Sequence, residues 1–406
     1  MISIEEAKKL IWKYTPILGK EKVYIMNSLG RVLAEDIISK FDVPPFTRSA
    51  MDGFAIISED TLYASKESPV FLEVIDEIKA GDNRDLKLEK GKAILIMTGA
   101  KMPKNSDAVV KIEDVEEIIK NGKKYIKIDR PFKKWENVSK KGEDIKKREI
   151  VIKKGTLVDS VVFSMIAYLG KKEVKVYKKP NVAILSTGDE IKKISQKLKE
   201  GEIYDSNSYS IYALTKKYGG SPKILGISKD EPKILDRFIK KGLLHDLFVI
   251  SGGVSEGKYD IVVDVLKKNG VKLIFHKVAV KPGKPTFFGK KGRKIVFGLP
   301  GYPVSAYLNF ENFVKVSLYK MTGRTMPEGF KIVGILEEDV ENKGDRDEFL
   351  RVIAIFKDDE IYIKPYPSQK SGVLSSVLYS NAILHLKKGE KKKKGDKVVV
   401  EYLDKD

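Results

Sequence analysis

From residue 180 onward the apolar pattern alternates between two periods, and this alternation constrains the fold more than any other feature. NVAILST, KILGIS, DLFVIS, KLIFHKVAV and the pair PTFFGK and KIVFGLP are short, β-rich apolar runs. Between them, SNSYSIYALTKKYG, EPKILDRFIKKG and YDIVVDVLKKNG carry the apolar spacing of helices, and VSAYLNFENFVKVSLYKMTG reads as one long helix. Strand and helix in strict turn predict a doubly wound, mostly parallel α/β domain over residues 179–325. Pro232 belongs in the first turn of its helix, and a cap is expected within Asp205–Ser208.

The rest of the chain has three other textures. Ile4, Ala7, Leu10 and Ile11 share one helical face behind a Ser3 cap with Glu6 three residues on. GTLVDSVVFSMIAYLG, residues 155–170, reads as a second helix closed by Gly170. Between these two lie the runs FAI, VFLEVIDEI, KAILIM, DAVVKIEDVEEII and KYIKID, a small β domain. The expected fold class is therefore multidomain α/β plus β. A split helical and mixed domain (1–45 and 140–178) carries an inserted β domain (46–139). The α/β domain follows, and KIVGILEEDV, FLRVIAIF, IYIKPYP, AILHLKK and KVVVEYL form a C-terminal small β barrel over 326–406.

Composition removes whole chemistries. The chain has no cysteine, so a thiol nucleophile, an iron–sulfur cluster and a Cys-ligated zinc are excluded. Its three histidines, His245, His276 and His385, share no metal-binding spacing. Catalysis falls to Asp, Glu, Lys, Ser, Thr and the backbone. The net charge of +20 comes from 77 Lys and Arg against 57 Asp and Glu. Only ten of those bases are Arg, the better reader of phosphate and base edges, so a solvated lysine surface is expected and no nucleic-acid partner. MISIEEAKKL is no leader, and no apolar run approaches the roughly 18 residues of a membrane span. A cytoplasmic protein without a membrane partner is the expectation.

In a parallel α/β sheet, ligands bind where the strands end. Here the loops at those ends are the unusual ones: STGDE (186–190), SKDEP (228–232), SGGVSEGKYD (251–260), KPGKP (281–285) and LPGYP (299–303). Ser251, Gly252, Gly253 and Ser255 form a glycine-permitted turn before a helix, suited to an anion. Lys277 and Lys281, four apart, are expected on one face of a single strand, and with Lys284 they suit a phosphate or oxyanion. Asp189, Glu190, Asp230 and Asp260 would offer oxygen ligands to a hard cation such as Mg²⁺; Asp230 and Asp260 also read as helix caps. Three loops lie outside this domain: FTRSAMDGFAI with Ser49, Asp52 and Gly53, MTGAKMP with Thr98, and KKGEDIKK with Asp144.

DVPPFTRSAMDGFAI, MTGAKMPKNSDAVVKIED, KKGEDI, VAILSTGDEI, GEIYDSN, VISGGVSEGKYD, KVAVKPGKP and GLPGYPVSAYLNF, in this order, resemble the molybdopterin molybdotransferases, the MoeA family that includes the E domain of gephyrin. The resemblance spans nearly the whole chain. It implies a four-domain subunit and a homodimer with the active site at the subunit interface. It implies insertion of molybdate or tungstate into adenylylated molybdopterin, with Mg²⁺-dependent release of AMP. It gives catalytic roles to Asp52, Thr98, Asp144, Lys277 and Lys281, and metal binding to Glu190, Asp230 and Asp260. Pro300 and Pro303 would line the substrate site, with Arg346 or Arg351 and Ser375 or Ser376 from the last domain. It points to the molybdopterin adenylyltransferase and other cofactor-biosynthesis proteins as partners. Tyr302 departs from the Asn usual in the GLPGNP turn. Alternatives from the residues are the earlier adenylylation step and a scaffolding role.

Overall fold

The computed structural model describes residues 1–253 and 261–403. Its contacts divide the chain into two units. One comprises Met1–Glu35, Lys154–Ser164 and Lys171–Asp406, the other Asp36–Lys153 and Met165–Gly170.

In the first unit the α/β sheet has six strands: β1 (Asn181–Thr187), β2 (Ser221–Ser228), β3 (Leu247–Ser251), β4 (Lys272–His276), β5 (Phe287–Lys291) and β6 (Lys294–Leu299). Their order is β2-β1-β3-β6-β5-β4. The first four positions are mutually parallel, and the edge pair β5 and β4 runs antiparallel. Strands β1, β3 and β6 are buried along nearly their whole length, which is why they read as unbroken apolar runs. The two-residue period sorts them onto two cores. Val182, Ile184, Leu247, Val249, Ile295 and Phe297 face the helices at Pro303–Met321 and the N-terminal helix Ile4–Tyr14. Ala183, Leu185, Phe248, Ile250 and Val296 face helices Pro232–Gly242 and Ile261–Lys268. The N-terminal helix is capped as its sequence predicts: Ser3 Oγ accepts from Glu6 N at 3.1 Å.

Three local expectations change. The long helix near 304–323 is interrupted by a π turn, Phe310–Val314. The wider turn keeps Phe310, Phe313 and Val314 buried while the buried Asn309 bonds to the KPGKP turn. The helix expected from 155 begins at Ser160. Gly155, Thr156 and Val158 instead bond to the backbone at 30–33, and Asp159 Oδ1 accepts from Val162 N at 2.8 Å. Lys277 and Lys281 do not share one strand. β4 stops at His276 because Lys277 takes φ +124°, outside any strand conformation.

The barrel sheet of the same unit contains Val280–Lys281, Lys331–Leu336, Asp347–Lys357, Glu360–Pro365, Ala382–Leu386 and Lys397–Tyr402. An additional pairing of Asp347–Lys357 with Ala382–Leu386 closes it around Leu336, Val352, Ile363, Leu384 and Val400. Its first strand belongs to the KPGKP turn: Val280 and Lys281 pair in parallel with Asp347 and Glu348.

The second unit is built on its own six-stranded sheet, ordered Ala108–Lys111, Gly53–Ile56, Lys92–Ile96, Val70–Ile78, Lys123–Ile128 and Glu116–Lys120. Alternation again makes two cores, with Phe54, Ile56, Leu72 and Val110 in one and Ala55, Ile78, Ile94 and Val109 in the other.

Candidate functional site

The parallel pairing brings the loaded loops to one edge. Ser186 lies opposite Ser251, Ser251 opposite Leu299, and Thr187 opposite Ser228. Gly252 has φ +89° and Gly253 φ +65°. A Cβ on Gly252 would stand 2.3 Å from Thr187 O, and one on Gly253 would stand 2.6 Å from Thr187 Oγ1. Only glycine fits this turn, so the backbone after β3 lies directly on the backbone after β1.

Beneath the edge runs a buried polar network that the motif reading did not single out. Ser186 Oγ donates to Asp205 Oδ1 at 2.8 Å, and the same oxygen accepts from Ser208 N at 3.0 Å. Asn207 Nδ2 donates to Ser251 Oγ and to Gly301 O, both at 2.7 Å. Ser251 Oγ donates to Pro300 O at 3.3 Å. Asn207 thus ties Ser251 to Gly301, and its signals in the sequence were the GEIYDSN motif and the cap expected within Asp205–Ser208. Pro300 is buried and Pro303 opens helix Pro303–Asn309. Tyr302, 65% exposed, places its ring beside Gly372, while Val304 N donates to Ser371 O at 3.1 Å.

The acids gather at the ends of β1 and β2. Asp230 does not cap its helix: the cap position is Glu231, and its side chain makes no capping bond. Asp230 is exposed by its surface area, yet its carboxyl is pushed up by partial desolvation and by the charges of Asp189 and Glu190. The Glu190 carboxylate folds back over Gly188, with an oxygen 2.7 Å from where a Cβ would sit. Among the described residues, no three His, Asp or Glu side chains form a group that could hold a metal ion. Asp260 and Ser255 lie outside the described residues.

The lysines flank a braced turn. Lys277 N donates to Thr286 O at 2.9 Å, and Lys284 O accepts from Val278 N and Thr286 N. Asn309 Nδ2 donates to Gly283 O at 2.8 Å and to Thr286 Oγ1 at 2.6 Å. Lys281 Nζ lies 2.9 Å from Glu348 Oε1; the lysine side chain is 51% exposed and the glutamate 8%. Cross-strand pairing makes the two neighbours.

Of the two arginines, Arg346 pairs with Asp345 at 3.3 Å, whereas Arg351 is wholly buried. Its guanidinium donates to Phe349 O, Ser368 O and Ser376 Oγ at 3.2–3.4 Å, all neutral acceptors. Burial pushes Arg351 down to about 10, with Glu348 partly offsetting the shift. Gln369 clamps its main chain, donating to Arg351 O and accepting from Arg351 N. Ser376 is buried and Ser375 is exposed. Glu348 and Gln369 escaped the sequence reading because their partners lie 67 and 18 positions away, which spacing rules do not reach.

In the second unit, Asp52 Oδ1 accepts from Thr98 N at 2.7 Å and Thr98 Oγ1 at 2.8 Å. These bonds hold the carboxyl below its usual range. The strand after it starts at Gly53, where a Cβ would stand 2.0 Å from Val110 O. Asp144 is exposed, and its backbone N–H donates to Val43 O at 3.0 Å.

Three family models match the chain in sequence. The MoeA N-terminal region (domain I and II) covers residues 2–170. The domain described as "Probable molybdopterin binding domain" covers 183–320, and the MoeA C-terminal region (domain IV) covers 333–403. The molybdopterin molybdenumtransferase of Staphylococcus epidermidis is 35% identical over 404 residues, covering 98% of this chain and 94% of that protein. The molybdopterin molybdenumtransferase of Bacillus subtilis is 34% identical over 389 residues, covering 96% and 90%. The crystal structure of the molybdopterin biosynthesis MoeA protein from Pyrococcus horikoshii superposes with a TM-score of 0.84 at 34% identity, covering 99% of this chain and all of that one.

Proposed function

On the premise that this chain belongs to the molybdopterin molybdenumtransferase (MoeA) family, enzymes of molybdenum cofactor synthesis, we propose that it inserts molybdate or tungstate into adenylylated molybdopterin and releases AMP. The observation that carries this reading is the cationic pair Lys281 and Arg351. One is a half-exposed lysine on a braced turn, and the other is a buried arginine with no carboxylate in hydrogen-bonding contact among the described residues. A buried guanidinium facing only neutral acceptors is costly, and an incoming tetrahedral dianion would offset that cost.

Each group then has work suited to its surroundings. Lys277, Lys281 and Arg351 hold the metal oxyanion, the substrate that supplies the metal. Ser251, Gly252, Gly253, Pro300 and Pro303 hold the molybdopterin adenylate, with backbone N–H groups of the turn meeting phosphate. Lys284, Ser255, Ser375 and Ser376 stand as further contacts. The ionised Asp52 orients donors of the substrate through Oδ2, the oxygen Thr98 does not take, and Asp144 is assigned to the same task.

The donor set at Glu190, Asp230 and Asp260 suits Mg²⁺, because partial desolvation and the charges of Asp189 and Glu190 raise the proton affinity of Asp230 and a hard cation relieves that cost. One or two of them would hold the ion, with substrate oxygens and water completing its shell. When bound, Mg²⁺ neutralises charge on the phosphates. No thiol of the protein competes for the incoming metal, since the chain has no cysteine.

A homodimer with a shared active site fits the same reading. Helix Ser160–Tyr168 is apolar nearly all round, yet only Ile166 is buried, and Val161 and Tyr168 are exposed. A cytoplasmic location and delivery of substrate by the molybdopterin adenylyltransferase complete the proposal. Among the described residues, no helix is long and apolar enough to cross a membrane. The test incubates purified protein with adenylylated molybdopterin, Mg²⁺ and each oxyanion, then measures AMP and bound metal. Release that depends on oxyanion and on Mg²⁺ supports the assignment. ATP consumption without oxyanion-dependent AMP release would move the chain to the preceding adenylylation step.

A further inference from the structure

Glu348 is a buried carboxylate placed among cations that the proposed reaction reserves for a substrate anion. It is 6% exposed and lies in the parallel pairing of Val280–Lys281 with Asp347–Glu348. Its Oε1 lies 2.9 Å from Lys281 Nζ, and its charge also acts through space on Arg351. Of these three groups the two cations outnumber the carboxylate. Glu348 cannot leave, because its backbone is fixed in a barrel strand that also pairs with Ala382–Leu386. Lys281 can, because half of its side chain is in solvent.

We propose that Glu348 is the resident counter-anion of the oxyanion site, and that substrate oxyanion binds by taking Lys281 away from it. The exchange rests on the functional reading above. It makes binding a competition between an internal carboxylate and an external dianion. Lys281 is thereby kept ordered and neutralised in the resting enzyme, and a doubly charged oxyanion, with about twice the Coulomb attraction of a monoanion at equal distance, is the class that wins the lysine. Glu348 touches no substrate; it acts as a positioning residue through Lys281.

Glu348→Gln keeps the shape and removes the competitor. Binding of molybdate alone, and of sulfate alone as a probe of the same charge and shape, is measured by calorimetry. The variant is expected to bind both about tenfold more tightly, the size of a charge-assisted hydrogen bond no longer broken on binding. The gain should vanish when Lys281→Met is added. A residue with a merely structural role would leave affinity unchanged or weaken it, and either result in the folded variant overturns the proposal, as does a gain that survives Lys281→Met. If Glu348→Gln does not fold, Glu348→Asp carries the test: it withdraws the carboxylate by one methylene and should still tighten sulfate binding. Sulfate reads the exchange without molybdopterin, so a wild type that releases no AMP sinks the functional reading and leaves this result standing on its own.

Discussion

A single methyl group at position 252 tests whether the site edge is built by contact between backbones. Gly252→Ala meets two separate obstacles. The residue sits at φ +89°, where a side chain costs about 1–2 kcal/mol. Its Cβ would also stand 2.3 Å from Thr187 O, a main-chain atom that cannot swing aside. Forced overpacking of that kind costs about 1–3 kcal/mol more. Gly292→Ala is the internal control. It lies in the turn between β5 and β6 at φ +57°, with nothing within 4 Å of its would-be Cβ, so it bears the conformational cost alone. At roughly 2–4 °C per kcal/mol for a domain of this size, Gly252→Ala should lower the unfolding midpoint by roughly 4–20 °C, and Gly292→Ala by roughly 2–8 °C. Thermal and urea unfolding followed in parallel give both values. AMP release should collapse only in Gly252→Ala, whose strain moves the SGGVS loop. Equal losses of stability in the two variants would refute the argument, because the Thr187 contact would then contribute nothing.

Three further perturbations separate the roles of neighbouring groups. Thr98→Val removes the hydroxyl that stabilises ionised Asp52. Its carboxyl then rises toward the ordinary range, protonation sets in at higher pH, and the acid limb of a kcat/KM profile should shift upward. Asn309→Ala deletes the bonds to Gly283 O and Thr286 Oγ1; denaturant unfolding should show a loss of about 1–3 kcal/mol, accompanied by a higher KM for oxyanion. Arg351→Lys keeps the charge but not the planar fork. It should reduce oxyanion-dependent AMP release by about 10²-fold while circular dichroism stays unchanged.

The doubly wound sheet was legible because burial on both faces writes itself into the chain as unbroken apolar runs, and because helices between parallel strands restore the longer period. From that alone, the loops after Thr187, Ser228, Ser251 and Leu299 had to meet at one edge. What sequence could not carry was conformation at single residues and pairing at long range. Nothing in HKVAVK announces that Lys277 leaves the strand at positive φ, since lysine rarely does so. The π turn at Phe310–Val314 is invisible for a related reason: one added residue in a helix leaves an apolar pattern that still looks helical. Asp230 read equally well as a cap or as a ligand, and only the cap position at Glu231 removes the first of these. Arg351 entered only beside Arg346, through the family resemblance, and its setting by Glu348, Gln369 and Ser376 is a product of barrel closure.

The short strand Val280–Lys281 has a mechanical consequence. Its cross-strand partner is Asp347–Glu348 of the barrel, so the distance from the Lys281 main chain to the barrel is set by backbone pairing, while the side chain keeps its own rotamer choice. A displacement of the barrel therefore carries the Lys281 backbone with it, and hydrogen exchange at these two amides would report how firmly the barrel is seated. The pairing works as a gauge block: it fixes where the lysine side chain is rooted, and the charge at its end is left to move.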